Sequence, residues 1–181
     1  MYDDLTCWRS TKMEVEWKKS LIWLFLARSG SGEMSWSTKK HDVFLSFRGE
    51  DTRTNFISHL YQALKDKSIR AYIDNQLDRG EDVWPALAKA IQISHVSVVV
   101  FSESYGCSKW CLEELVEILE CRKQLGLVVV PVFYNVDPSY IRNQKGTYKK
   151  ALESNEDKVP KWKTALTEAA NISGWDSRIH R

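Results

Sequence analysis

The stretch SKWCLEEL, residues 108–115, combines an aromatic side chain with carboxylates at the expected start of a helix. Trp110 and Glu114 are four residues apart, which makes them neighbours on one helical face. Because helical side chains lean toward the N-terminus, both can overhang a crevice in front of the helix. A carboxylate beside an aromatic face can hold a sugar ring. Spacing alone equally allows Glu114 to be a solvated helix residue like Glu113 and Glu117.

A second stretch, RGEDTR at residues 48–53, places two arginines and a glycine at another expected helix start. Free backbone N–H groups at a helix N-terminus attract anions, and arginines can grip phosphate oxygens in bidentate fashion. The competing interpretation is a structural turn in which Arg48 and Arg53 pair with Glu50 and Asp51. The sequence contains neither GxxxxGK[ST] nor GxGxxG, so no nucleotide signature indicates an NTPase or a dehydrogenase.

Other candidate chemistries have weaker support in the sequence. His59 follows Ser58 within a helix, and no nucleophile signature accompanies it, which argues against a Ser/His or Cys/His hydrolase. The spacing of the four cysteines does not match a zinc site. A chain of this size does not need disulfides, so we expect reduced thiols in a cytosol-like compartment.

Strand and helix patterns alternate from residue 40 onward. Short apolar runs predict strands at 42–47, 70–74 and 95–102 and a fourth from 127 that is followed by a turn. Periodic segments predict helices at 52–66, 85–94, 109–123, 144–153 and 160–172. Asp51 or Thr52 could cap the first helix. This alternation predicts an α/β, flavodoxin-like, doubly wound parallel sheet of about five strands flanked by helices. The sequence does not place the fifth strand. In such a sheet ligands bind where the strand order reverses, here between the first and third strands.

Composition bounds the class of protein. The chain has 181 residues, 43% apolar and 28% charged, with a net charge of +2 and basic residues interleaved with acids. It therefore resembles an ordinary globular domain without the clustered basic face of a nucleic-acid binder. Residues 1–38 show no period and are expected to form a flexible extension. Their longest apolar run, LIWLFLA at 21–27, is far short of the ~20 residues that span a bilayer, although a signal peptide is conceivable.

The ordered motifs DVFLSFRGEDTR, SKWCLEELVEILEC and VVVPVFYNVDPSYIRNQKGTY resemble the TIR domain of plant immune receptors. The resemblance runs from about Lys40 to Ser177, so we expect a TIR domain at 39–178 and a short tail at 179–181. It implies either a TIR-only protein or a fragment of a receptor. It also implies the flavodoxin-like fold and an NAD(P)+ nucleosidase activity, which cleaves the nicotinamide–ribose bond to give nicotinamide and ADP-ribose-type signalling nucleotides in innate immunity.

The resemblance also implies roles for individual residues. Glu114 corresponds to the essential glutamate, four residues after the tryptophan of the motif. The implied nucleotide-binding residues are Arg48, Glu50, Asp51, Thr52, Arg53, Thr54, Asn55, Gly80, Val83 and Trp110. Two implied self-association surfaces contain Ser58 with His59 and Gly174 with Trp175. No cofactor and no metal are expected, since NAD+ or NADP+ is the substrate. The expected partners are further copies or other TIR-domain proteins, with no nucleic acid or membrane, in the cytoplasm and with the nucleus left open.

Two departures from the family pattern keep a second function open. Trp84 stands where a small capping residue is common, so its bulk is expected to alter the mobile loop before the second helix. The region between GTYKK and VPKW is shorter than usual, which makes the fourth helix uncertain. Both departures favour the alternative of a non-catalytic TIR adaptor or decoy that binds other TIR domains. A flavin-binding electron carrier on the same fold has no supporting motif.

Overall fold

A computed structural model describes residues 39–73, 83–153 and 157–179. Gly80, one of the residues expected at the site, lies outside these ranges. The described residues form a five-stranded sheet in which every neighbouring pair of strands is parallel. The strands are β1 (His41–Phe47), β2 (Ala71–Ile73), β3 (Ser94–Phe101), β4 (Val128–Phe133) and β5 (Trp175–Asp176).

Helical segments connect these strands. The first, α1, consists of an α-helical turn (Gly49–Thr52), a π-helical turn (Arg53–Ile57) and a regular helix (Ser58–Asp66). The others are α2 (Trp84–Gln92), α3 (Lys109–Leu125), α4 (Pro138–Arg142), α5 (Thr147–Leu152) and α6 (Val159–Asn171), with a 3₁₀ turn (Tyr105–Cys107) before α3. No helix among the described residues is long and apolar enough to cross a membrane.

The strand order is β2-β1-β3-β4-β5, which is the flavodoxin-like order predicted from the sequence. The reversal lies between β1 and β3, which pair in parallel from His41 opposite Ser94 to Phe47 opposite Val100. The loops that follow these two strands therefore leave the same edge of the sheet. The fifth strand is the two-residue β5, which is too short to show any alternation in the sequence.

Each face of the sheet is covered by helices, and the strands supply apolar side chains to both. Val43, Leu45 and Phe47 of β1 pack in one buried cluster that includes apolar residues of α1. Phe44 belongs to the other cluster, which includes apolar residues of α2, α3 and α6. Because side chains alternate along a strand, Ser46 points to the same face as Phe44. A polar side chain of β1 is thus directed toward α3.

The helix starts differ from the expectation at two places. The first helix was predicted to begin at 52 with an Asp51 or Thr52 cap, which is wrong: helical structure begins at Gly49, and Arg48 is an N-cap without a side-chain cap bond. The segment after β4 was predicted as a turn but contains α4, whose N-cap Asp137 accepts a hydrogen bond from the Ser139 amide at 2.8 Å. The predicted helix at 144–153 is present as α5.

Arg178 connects the edge strand β5 to the N-terminus of α4 by hydrogen bonds. Its guanidinium donates two hydrogen bonds to the Asp176 carboxylate, at 3.0 and 2.7 Å, and one to Asp137 at 3.0 Å. Hydrogen bonds from Ser139 and Arg178 lower the pKa of Asp137 to about 2. The Arg178 hydrogen bonds also lower the pKa of Asp176. Both carboxyls are therefore held in the ionised form by the folded chain.

We expect Arg178→Met to lower the free energy of unfolding near pH 7 by on the order of 1 kcal/mol, since charge-assisted hydrogen bonds are lost. A depressed pKa stabilises the fold above the unfolded-state value of about 3.9 and ceases to do so as the pH falls toward the folded value. The difference from the parent chain should therefore shrink between about pH 4 and pH 2. Urea unfolding at several pH values measures it. Arg122→Met, which removes a surface pair with Glu168, is the control, and an unchanged difference at low pH would contradict the assignment.

Candidate functional site

Glu114 lies one turn into α3 and is only 3% exposed. Its Oε2 accepts a hydrogen bond of 2.7 Å from the Ser46 hydroxyl, which comes from the end of β1. The Ser46 and Tyr105 hydroxyl oxygens are 2.9 Å apart, and the Tyr105 hydroxyl also donates to the Cys111 carbonyl at 2.9 Å. A carboxyl group this deeply buried requires such hydrogen bonds. The site therefore contains a carboxyl group held by β1 and by the 3₁₀ turn after β3.

The neighbouring acids of α3 behave differently. Glu113 accepts a hydrogen bond from Lys158 at 2.8 Å and Glu117 accepts one from Gln92 at 3.1 Å, both at the protein surface. The interpretation of Glu114 as a solvated helix residue like these two is therefore wrong. The difference follows from helical geometry, since only Glu114 lies on the side of α3 that faces β1 and the 3₁₀ turn.

Ser46 and Tyr105 were not found by sequence reasoning. Both are fully buried. Burial, reinforced by the nearby Cys111 and Glu114, raises the pKa of Tyr105 well above its ordinary value, so its phenol keeps its hydrogen at physiological pH. The available signal was a serine inside the apolar run DVFLSF, where a polar side chain in a buried strand needs a partner.

Two tryptophans pack against each other near the start of α3. Trp110 precedes Glu114 by one helical turn and is half-buried. Trp84, the first residue of α2, contacts Trp110 edge to face, with ring centroids 5.7 Å apart and ring planes at 90°. Edge-to-face pairs of this kind hold rings in a defined orientation. The large side chain of Trp84 therefore packs against Trp110. Val83, one of the residues expected at the site, directly precedes Trp84 and is half-buried.

Arg48 directly follows β1, at the edge of the sheet where the strand order reverses, and its side chain already has partners. Its guanidinium forms a close ion pair with Glu50 and donates a hydrogen bond of 3.2 Å to the Ser104 carbonyl. Asp51 lies 3.8 Å from the same guanidinium. The structural-turn interpretation is therefore correct for the contacts of Arg48 with Glu50 and Asp51, whereas the predicted role of these residues in binding a nucleotide stays a prediction. An anion would have to take the place of Glu50.

Asp51 joins the start of α1 to the loop after β3. Its Oδ2 accepts hydrogen bonds from the Ser102 hydroxyl and from the Ser104 amide. The Tyr148 hydroxyl, from α5, donates to the Ser102 carbonyl at 2.6 Å and so connects this loop to α5. The loops after β1 and β3, expected to form the site, are thus joined directly to each other.

The remaining residues of the α1 stretch lie on different sides of the helix. Thr52 is buried, and its hydroxyl donates to the Arg48 carbonyl at 3.0 Å. The Arg53 guanidinium lies over the Phe47 ring, 5.2 Å from its centroid. Thr54 and Asn55 are exposed in the π-helical turn. Arg48 and Asp51 contact the loop after β3, whereas Thr54 and Asn55 offer a ligand only an exposed surface.

Ser58 and His59 are exposed on the regular part of α1, immediately after the π-helical turn. The Ser58 hydroxyl donates to the Asn55 carbonyl at 2.8 Å. Their exposure is compatible with a contact surface outside the crevice, and their assignment to self-association stays a prediction.

Gly174 and Trp175 lie at the β5 edge, two strands away from the reversal point. A Cβ atom at Gly174 would lie 2.4 Å from the Pro131 carbonyl oxygen and 3.0 Å from its Cβ. The glycine therefore permits β5 to approach β4, which is a requirement of the fold itself. The expected role in self-association stays a prediction, and any substitution at Gly174 must first be judged by its effect on folding.

No group of three or more His, Cys, Asp and Glu side chains that could hold a metal ion occurs in the part of the chain that the structure describes. Cys107, Cys111 and Cys121 are free thiols. Burial and the neighbouring Glu117 raise the pKa of Cys121 to about 12, which makes it a poor nucleophile.

Comparisons with known proteins agree with this fold. A family model described as the TIR domain matches residues 40–180. Disease resistance protein RPV1 of Vitis rotundifolia is 57% identical over 142 residues, which are 76% of this chain and 10% of that protein. TMV resistance protein N of Nicotiana glutinosa is 48% identical over 154 residues, which are 81% of this chain and 13% of that protein.

A solved structure shows the same architecture. The TIR domains in the structure of the activated Roq1 resistosome, which directly recognises the pathogen effector XopQ, are 51% identical to this chain. The TM-score is 0.70, and the match covers 77% of this chain and 89% of that one. The chain thus belongs to the TIR domain family, in the form carried by plant disease resistance proteins. It spans about a tenth of the length of the curated relatives quoted above.

We expect Gly174→Ala to destabilise the isolated domain, because the new methyl group overlaps the Pro131 backbone. The loss should be roughly 1–3 kcal/mol, typical of overpacking. Chemical denaturation at protein concentrations where the chain is monomeric measures it, with Ser173→Ala at the exposed neighbouring position as the control. A Gly174→Ala chain with parental stability but weakened self-association would instead assign the glycine to an interface.

Proposed function

We propose that this chain is an NAD(P)+ nucleosidase of plant innate immune signalling, which cleaves the nicotinamide–ribose bond and is activated by self-association. The observation that carries the proposal is the Glu114 carboxyl, buried beside Trp110 at the sheet reversal and hydrogen-bonded by Ser46. Membership of the TIR family supports it. The dinucleotide is the substrate, and the proposed chemistry uses no cofactor or metal ion.

One carboxylate suffices for this reaction. Glycoside hydrolysis ordinarily requires a second carboxyl group to protonate the leaving group. Nicotinamide departs as a neutral molecule from a cationic pyridinium, so no general acid is needed. The positive charge moves onto the ribose as its bond to nicotinamide breaks. A carboxylate in a water-poor site stabilises that charge strongly, because the interaction is little screened.

The surrounding residues fit the remaining parts of a dinucleotide. Trp110 offers an aromatic face, and Trp84 holds it in place by an edge contact. Arg48 offers a guanidinium for the phosphates once Glu50 releases it. Arginine binds phosphate in bidentate fashion, so this exchange replaces one exposed ion pair with a better one.

Self-association would explain how a buried carboxyl meets a substrate. Glu114 is 3% exposed in the single chain, so a dinucleotide reaches it only after neighbouring groups move. Contact with a second copy, through surfaces that include the exposed Ser58 and His59, can supply the free energy for that change. The similarity to TIR domains of an activated resistosome supports this part of the proposal. The activity should then rise with protein concentration.

The decisive measurement is nicotinamide release from NAD+ and NADP+ by the full chain, at high concentration or tethered densely to a surface. Glu114→Gln should lower the rate by about a hundredfold or more, the loss typical of removing an electrostatic catalytic group. Glu113→Gln, one residue away and paired with Lys158 at the surface, should retain the parental rate.

The alternative is a TIR adaptor or decoy without useful catalysis. If a folded, self-associating chain turns over no faster than Glu114→Gln, the nucleosidase proposal fails and the adaptor remains. Circular dichroism and sedimentation of both variants establish folding and assembly independently of the enzymatic readout.

We further expect Glu50→Gln to improve dinucleotide binding. The Glu50 carboxylate competes with phosphate for Arg48, and it is 76% exposed, so the effect is modest. The KM should fall about two- to fivefold with kcat nearly unchanged, as measured by initial rates at several substrate concentrations. Glu103→Gln removes an exposed negative charge from the loop after β3 and controls for the general field. An equal fall in KM for both variants would show that Arg48 is not the competing partner.

A further inference from the structure

The buried hydroxyls of Ser46 and Tyr105 form a chain that ends on Glu114. Ser46 is separated from Tyr105 by 59 residues and from Glu114 by 68 along the chain. In the fold, the Ser46 hydroxyl nevertheless lies within hydrogen-bond distance of both the Tyr105 hydroxyl and the Glu114 carboxyl. None of them is more than 3% exposed. Ser46 comes from the end of β1 and Tyr105 from the 3₁₀ turn after β3. The chain therefore joins the two strands that flank the reversal to the proposed catalytic carboxyl.

Counting hydrogens gives the chain a direction. The Ser46 hydroxyl has one hydrogen and donates it to Glu114 Oε2. The 2.9 Å contact between Ser46 and Tyr105 then leaves only the single Tyr105 hydrogen, which is shared between the Ser46 oxygen and the Cys111 carbonyl oxygen in a three-centre hydrogen bond. Cys111 is itself fixed, since its thiol donates to the Phe47 carbonyl at 3.5 Å. The order of donation is thus Tyr105 to Ser46 to Glu114.

Two other buried hydroxyls, those of Ser94 and Tyr148, lie outside this hydrogen-bond chain. Ser94 is also fully buried in a strand, but its hydroxyl donates at 2.6 Å to the Ala90 carbonyl at the far end of β3. Tyr148 is 1% exposed, and its hydroxyl donates to the Ser102 carbonyl. These two residues satisfy backbone groups, whereas Ser46 and Tyr105 converge on a carboxyl group.

We propose that Ser46 and Tyr105 are positioning residues for Glu114, with Tyr105 orienting the Ser46 hydroxyl and Ser46 fixing the plane of the carboxylate. This inference rests on the proposed nucleosidase function. A carboxylate stabilises charge on a ribose only if it is held where that charge develops, and a preorganised group needs no reorganisation during the reaction. Losing either hydroxyl leaves the carboxylate free to rotate and so lowers the rate of the chemical step.

The test compares Ser46→Ala and Tyr105→Phe with Ser94→Ala, which removes an equally buried serine hydroxyl at the far end of β3. Nicotinamide release should show kcat lower by roughly ten- to a hundredfold in Ser46→Ala and about tenfold in Tyr105→Phe, with KM within about threefold of the parent, because ground-state binding is unaffected. The Ser94→Ala control should keep the parental kcat. Ser46→Thr, which retains a hydroxyl, should recover part of the loss. If Ser46→Ala does not fold, Tyr105→Phe alone carries the comparison.

A second readout does not require turnover. In chains labelled with ¹³C at glutamate side-chain carboxyls, the Glu114 resonance is identified by its absence from Glu114→Gln. Ser46→Ala should shift that resonance and Ser94→Ala should not. Folded Ser46→Ala and Tyr105→Phe chains with parental kcat, or an unmoved resonance in Ser46→Ala, would overturn the positioning role while leaving the nucleosidase proposal intact. If Ser46→Ala shifts the Glu114 resonance but the parent chain shows no turnover, the proposed function fails. The hydrogen-bonded hydroxyls would then be a structural feature only.

Discussion

The direct pairing of β1 with β3 is the constraint on which the site depends. Six registered residue pairs, from His41 with Ser94 to Phe47 with Val100, hold these strands in parallel. Parallel neighbours end at the same edge of a sheet, so the segments that follow them meet there. The Asp51 contacts with Ser102 and Ser104 are one result. Another is that α3, which starts after the second of these loops, brings Glu114 against the end of β1.

Burial of a carboxyl group is unfavourable unless other groups satisfy it, and α3 shows how the cost is offset. Glu113 and Glu117 follow the ordinary pattern of a helix, in which acids find cationic or amide partners at the surface. Glu114 departs from that pattern, because it is buried and accepts a hydrogen bond from the Ser46 hydroxyl. Local rules are typically broken where a protein acts on a ligand, since the compensating groups must converge from distant parts of the chain.

The charged residues at the start of α1 form ion pairs with one another. Arg48, Glu50 and Asp51 lie within three residues of each other and share their charges, while Arg48 and Asp51 also bond the loop after β3. Exposed pairs of this kind are weak, whereas bidentate arginine–phosphate contacts are among the stronger polar interactions. The same residues can therefore connect the start of α1 to the loop after β3, and their weak pairs can be exchanged for contacts with the proposed substrate.

Sequence patterns by themselves predicted the alternation of strands and helices and indicated the family, because apolar runs, helical periods and ordered motifs are local signals. The strand order was inferred from the fold class that this alternation favours, and the structure confirms it. Sequence patterns also singled out Glu114 and Arg48, the latter with two competing interpretations. They missed β5, which has only two residues, and Ser46 and Tyr105, whose partners lie far away in the chain. Only the tertiary structure decided that Glu114 is buried and that Arg48 is engaged by Glu50. Burial and hydrogen-bond partnership depend on which segments the sheet brings together, and no periodicity in the sequence records that.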